Sequence, residues 1–204
     1  MDVSLALPAF VALFVVIDPI GLAPLFVALT AGFDAGQRRG IAVRAVAVSF
    51  CILTLFGLAG ESVLAFLGIS MPAFRIAGGI LLFLTALDML FERRTERRRG
   101  QASAPAEDPA VFPLAIPLTA GPGAIAAMIL LTGASTGNAL DILLVHLIMA
   151  AVLLVVLTLF LLAAPIERLL GPTGIMVITR LLGMLLAALS VQFVIDGLRD
   201  LQVM

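Results

Sequence analysis

Lysine, tryptophan and tyrosine are absent from this 204-residue chain, and cysteine and histidine occur once each, as Cys51 and His146. A lone cysteine inside an apolar run excludes a disulfide framework and any CxxC metal or redox site. One histidine and no tyrosine leave no HExxH zinc motif, and GxGD and Walker A patterns are missing too. Zinc and paired-aspartate hydrolysis each lack a required part, and so does ATP-driven pumping. We expect no enzyme, no cofactor and no metal. Charge is also scarce, at 12% of residues against roughly 25% in a soluble domain. The net charge of −1 gives no signal for nucleic acid, and all the basic residues are arginine.

What is abundant is apolar: 62% of residues, with a mean hydropathy of +1.23. Six runs approach the roughly 20 residues that a membrane helix needs. They cover about 4–31, 42–66, 70–90, 111–134, 140–163 and 175–197. The first run follows Asp2 with no basic segment before it, and reads as a retained span rather than a signal peptide. Between the third and fourth runs, 92–110 is rich in arginine, acid, Gly, Ser and Pro, a solvated linker. The chain thus divides into a first three-helix unit at 1–91, the arginine-rich linker at 92–110 and a second three-helix unit at 111–204. Without Trp or Tyr there is no aromatic belt, and orientation rests on arginine. Arg38, Arg39, the five arginines between Arg93 and Arg99, and Arg168 all follow odd-numbered spans; only Arg199 lies on the other side outside the spans. The positive-inside rule then puts those loops in the cytoplasm and both termini outside.

The first span carries an acid, two prolines and a glycine where apolar sequence should be unbroken: Asp18-Pro19-Ile20-Gly21-Leu22-Ala23-Pro24. Two prolines remove two backbone donors, so a break is expected over 18–24. Irregular backbone at membrane depth survives only buried in protein or lining a cavity, which makes the break a candidate binding site. The fourth span has a second such patch, with Pro113, Pro117 and Gly121-Pro122-Gly123. Pro-x4-Pro occurs only at Pro19/Pro24 and Pro117/Pro122, and Arg75, Gly78 and Thr85 match Arg180, Gly183 and Ser190 at a similar offset. A unit of three spans repeated once must be inverted in its second copy. The expected architecture is an all-α membrane protein of two inverted three-helix repeats, with the first helix of each repeat discontinuous. Inverted repeats with broken helices at corresponding places point to a secondary transporter with a midplane site.

Asp18 through Phe26 with Leu29-Thr30, Arg75-Ile76-Ala77-Gly78-Gly79 with Asp88, Ile116-Pro117-Leu118 with Ala120 through Ile125, and Gly183 through Gln192 with Gly197 resemble the MarC/SnatA family over essentially the whole chain. The resemblance implies a six-helix bacterial inner-membrane protein that transports small neutral amino acids such as glycine, alanine, serine or threonine. Many members have Asn-Pro where this chain has Asp18-Pro19. A channel, or a stress-related membrane protein without a substrate, is the alternative class; a channel should show a repeated filter or rings of like charge.

A neutral amino acid is a zwitterion, and its site must answer a carboxylate and an ammonium. A half-helix starting after Gly121-Pro122-Gly123 offers free N–H groups and a positive dipole end, and the glycines let a ligand come close. Pro19, Gly21 and the half-helix after Pro24 are expected to form the matching end. Thr119, Thr85 and Ser190 can add hydroxyls. Asp18, midway along its span, is assigned to the ammonium or to proton or cation coupling, against a helix-capping role. Glu61 with Arg75, and Glu167 with Arg180, are expected to form two corresponding hairpin clasps or gates. Asp88 reads as an interfacial acid and His146 as hydrogen-bonded filler. The glycines at 78, 79 and 183 read as sites of close helix contact.

Overall fold

The computed structural model describes residues 3–91, 93, 108–134 and 138–202, with all their side chains except those of 3–5, 164, 166–168 and 202. All the elements described are helical: α1 (Val3–Ile17), α2 (Pro19–Leu29), α3 (Ala35–Phe66), α4 (Met71–Leu90), α5 (Ala110–Thr119), α6 (Pro122–Gly133), α7 (Ala139–Leu161) and α8 (Ala163–Gln202). The linker expected at 92–110 lies almost wholly outside the described residues.

Five stretches are long and apolar enough to cross a membrane, and the pair α5 and α6, bent by 57°, makes a sixth. α1 and α2 together form one of them, Ala6–Leu29. The break between α1 and α2 is narrower than the sequence suggested, confined to Asp18 at φ 58°, ψ 65°. Proline disfavours the right-handed helical region for the residue before it, and aspartate tolerates the left-handed one. Pro24 lies inside α2, so the second half-helix starts at Pro19 and not after Pro24. Only the donor at position 24 is missing, and the turn is held by its packing against α7 and α8.

The second break is wider. α5 is wound more loosely than an α-helix, with the Ala120 N–H donating to the Ala115 carbonyl and the Leu114 N–H to that of Pro109. Phe112 and Ile116 are extended, each before a cis-bonded proline, Pro113 and Pro117. That matches the extended preference of any residue preceding proline. α6 then starts at Pro122, a favoured first helical residue because its missing N–H would have no partner anyway. In α8 the chain turns at a single residue, Gly171 at φ 61°, and the helix resumes at Pro172, earlier than the expected start of the sixth span at about 175.

The first span is the central one: 61% of its most apolar window is buried, against 28% for α4 and for α8. The core joins Leu13, Ile17 and Leu22 of this span to Met128 of α6 and to Met149, Leu153 and Phe160 of α7. α3, α4 and α8 turn large apolar side chains outward, including Leu55, Leu58, Leu84 and Leu181. The α4–α8 contact is the most extensive. It runs through small residues: a Cβ at Gly79 would stand 2.8 Å from the Ser190 carbonyl oxygen, one at Gly183 3.0 Å from Met89, and one at Gly197 3.0 Å from the Pro72 carbonyl oxygen. As numbers rise along α4 they fall along α8, so the two helices are antiparallel. The close contacts expected at Gly79 and Gly183 are therefore present, while Gly78 faces Leu130 of α6.

The remaining contacts come in matching sets. α3 packs on α5 and α6, as α7 packs on α1 and α2; α4 packs on α6, as α8 packs on α1 and α2.

Candidate functional site between two helix breaks

The first break is closed on itself. The Asp18 carboxylate is 1% exposed and its Oδ1 accepts from the Gly21 N–H at 3.0 Å. Pro19 has no N–H to offer, and the acid caps the helix at its third residue, Gly21. A side chain at Gly21 would overlap the Asp18 carboxylate, so only glycine fits under this cap. Backbone bonds continue on both sides, from the Asp18 N–H to the Phe14 carbonyl at 2.9 Å and from the Leu22 N–H to the Asp18 carbonyl at 3.1 Å.

The second break is open. Gly121 precedes α6 in an extended conformation and no side chain caps the helix. The Ile125 N–H is bonded to the Gly121 carbonyl at 3.0 Å, but the Gly123 and Ala124 N–H groups meet no acceptor among the described residues. Two residues before Gly121, the Thr119 hydroxyl is buried, with the residue 1% exposed, and has no hydrogen-bond partner. A buried, unpaired hydroxyl costs roughly 1–3 kcal/mol and calls for a partner. A Cβ at Gly121 would stand 2.5 Å from the Pro117 carbonyl oxygen, which makes this turn the tightest backbone approach at the site.

The two breaks are neighbours. Around the position of a Cβ at Gly123 stand Val16 Cγ1 at 3.3 Å, Leu82 Cδ2 at 3.5 Å and the Thr85 hydroxyl oxygen at 3.7 Å. Val16 is two residues before Asp18, so the start of α6 lies against the end of α1. Thr85 also donates to the Leu81 carbonyl at 3.0 Å. The structure thus brings Thr85, Gly123 and the Asp18 break together, as the sequence suggested. Ser190 is placed differently. It is fully buried in the α4–α8 contact beside Gly79, and its hydroxyl donates to the Ala187 carbonyl at 2.7 Å. Val16 and Leu82 were not picked out from sequence, because two aliphatic residues in apolar helices carry no signal until the packing is known.

The clasp expected between Glu61 and Arg75 is not formed. Arg75 pairs with Asp200 near the end of α8, while Glu61 is exposed. The physical reason is packing: α3 and α4 barely touch, whereas antiparallel α8 runs along α4 and delivers its last turn to Arg75. For the other pair, the Glu167 side chain lies outside the described residues, and Arg180 is on an exposed face of α8. The His146 Nδ1 lies 2.8 Å from the Ile142 carbonyl and so carries the hydrogen; Nε2 is buried against Gly57 of α3 without a partner. A second pairing not foreseen is Arg44 with Asp108 at 3.1 Å; Asp108 also accepts from the Ala110 N–H and so fixes the start of α5.

A bundle of six membrane-length stretches with apolar outer faces, and two helix breaks meeting inside it, defines a multi-span membrane protein of broken-helix type. The chain belongs to the MarC family: the family model, described as MarC family integral membrane protein, matches residues 3–202. It is 41% identical over 195 residues to a UPF0056 membrane protein of Archaeoglobus fulgidus, covering 94% of this chain and 91% of that one. It is 34% identical to the inner membrane protein YhgN of Escherichia coli K12, over 94% of each chain. Identity to the membrane protein YvbG of Bacillus subtilis is also 34%, over 98% of this chain and 97% of the relative. No solved structure matches the chain.

Proposed function

We propose that the protein is a secondary carrier for small neutral amino acids, binding its substrate where the two breaks meet. The observation that carries the reading is the contrast between the breaks. One holds a buried acid, Asp18; the other presents uncapped N–H groups at Gly123 and Ala124 beside an unpaired Thr119 hydroxyl. Two such ends, one negative and one positive, suit the ammonium and carboxylate of a zwitterion. The carboxylate goes to the start of α6, and the ammonium to the Asp18 side. Val16 and Leu82, tight against Gly123, favour a substrate with a small side chain. Asp18 is also the group through which a proton or cation would couple. The absence of HExxH and GxGD motifs supports a carrier over a zinc or paired-aspartate hydrolase.

The matching sets of helix contacts support an inverted repeat, because exchanging the first three spans for the last three maps the pattern onto itself. Antiparallel α4 and α8, each the third span of its unit, fit the same symmetry. The arginine count puts the α2–α3 turn in the cytoplasm and both termini in the periplasm. The name of the Escherichia coli relative supports an inner-membrane location.

The test is exchange of labelled glycine, alanine, serine and threonine by purified protein in liposomes, with and without an imposed proton gradient. Saturable exchange of at least one of them is expected. Failure of all four in vesicles that retain folded protein would favour a membrane protein without a small amino acid as substrate.

A further inference from the structure

Away from the two breaks, a cavity of ≈ 200 Å³ opens where the end of α2, the start of α3 and the α7–α8 turn meet. Its floor is apolar: Phe26 of α2 and Phe160 of α7 stack with ring centroids 4.5 Å apart and planes within 7°. Its rim is basic, formed by Arg38 and Arg39. Arg38 is positioned by one bond, Nε donating to the Thr30 carbonyl at 3.1 Å, which leaves its terminal NH₂ groups for another acceptor. Among the described residues neither arginine has an acidic partner. The nearest acid in sequence, Asp34, is occupied in a capping box with Gln37. At the edge of the cavity Leu161, and nearby Phe33, expose 48% and 39% of their surfaces.

We propose that this cavity binds the phosphodiester headgroup of an anionic phospholipid of the arginine-rich leaflet. Two unpaired guanidiniums match a phosphate, and Arg38 is held in place to meet it. The stacked phenylalanine floor suits the glycerol carbons rather than a second charge. Leu161 and Phe33 continue the apolar surface outward, where the acyl chains would lie. A free phosphate would satisfy the arginines but leave that apolar surface bare, which favours the lipid as occupant. The proposal does not depend on what the two breaks bind.

The test is native mass spectrometry of the purified full chain, titrated with phosphatidylglycerol, phosphatidylcholine or inorganic phosphate and without amino acid. At about fivefold per arginine, phosphatidylglycerol is expected to be retained about thirtyfold better than phosphatidylcholine. Arg38→Gln with Arg39→Gln should lose that preference, and Arg44→Gln, which alters an arginine paired elsewhere, should keep it. If the double variant fails to fold, exposed Arg39→Gln alone should lose about fivefold. Equal retention of the two lipids, or an unchanged preference in the Arg39→Gln variant, would overturn the proposal. So would inorganic phosphate displacing the lipid at equal concentration.

Discussion

Replacing Gly121 with alanine should lower serine exchange by about tenfold or more while leaving the protein in the membrane. The backbone of Gly121, at φ −84° and ψ 172°, is one that any residue adopts, so conformational strain is not the cause. The obstacle is the added methyl, 2.5 Å from the Pro117 carbonyl oxygen. Neither partner is a flexible side chain, and the turn between α5 and α6 must open. Overpacking of this kind costs about 1–3 kcal/mol. The cost falls on the turn that sets the direction of the Gly123 and Ala124 N–H groups, and about 1.4 kcal/mol of lost binding is tenfold in affinity. Gly123→Ala is the companion variant. Its methyl meets only side chains, at 3.3 Å and beyond, so thermal stability should hold while the KM for serine rises. Wild-type exchange in Gly121→Ala would show that the start of α6 takes no part in binding.

A second large effect is expected at Asp18, and a series separates its roles. Asp18→Ala removes the cap on the Gly21 N–H and puts a residue with a plain Cβ at φ 58°. The lost cap and the left-handed backbone together cost about 2 kcal/mol. Asp18→Gly recovers the backbone but not the cap, and should fall between. Asp18→Asn keeps both the cap and the left-handed preference, so its unfolding midpoint in detergent should match the wild type. The asparagine variant then isolates the charge. With Asp18 on the ammonium side of the site, exchange should fall and its pH profile should change in that folded variant. Unchanged exchange and an unchanged profile would reduce Asp18 to a helix cap.

The positions of both breaks were legible because aspartate, glycine and paired prolines are costly in a membrane helix and stand out against an apolar background. Their shapes were not. Pro24 passes inside α2 because only one donor is lost there, whereas Pro113 and Pro117, four residues apart, extend both Phe112 and Ile116 and unwind the whole of α5. The small residues of α4 and α8 announced close contact, and Gly79 and Gly183 provide it. The partner of Arg75 was hidden for the same reason that this contact forms: antiparallel packing brings Asp200 to it from the far end of the chain, and neighbours in sequence mislead. At the site, Thr85 and Gly123 were foreseen as companions. The pairing state of the Thr119 hydroxyl is a property of packing that no single sequence displays. The open start of α6 against the closed start of α2 was half legible, since an acid precedes one helix and glycine the other.

The claim on which the rest depends is that substrate occupies the space between the two breaks. Thr85, whose hydroxyl oxygen stands 3.7 Å from a Cβ placed at Gly123, is the position to probe. In a Cys51→Ser background, Thr85→Cys in proteoliposomes would be labelled with a small maleimide in the presence and absence of serine. Serine should slow the labelling with a concentration dependence that follows its exchange. Labelling at 85 that is indifferent to serine, in protein that still exchanges it, would place the substrate elsewhere and contradict the account.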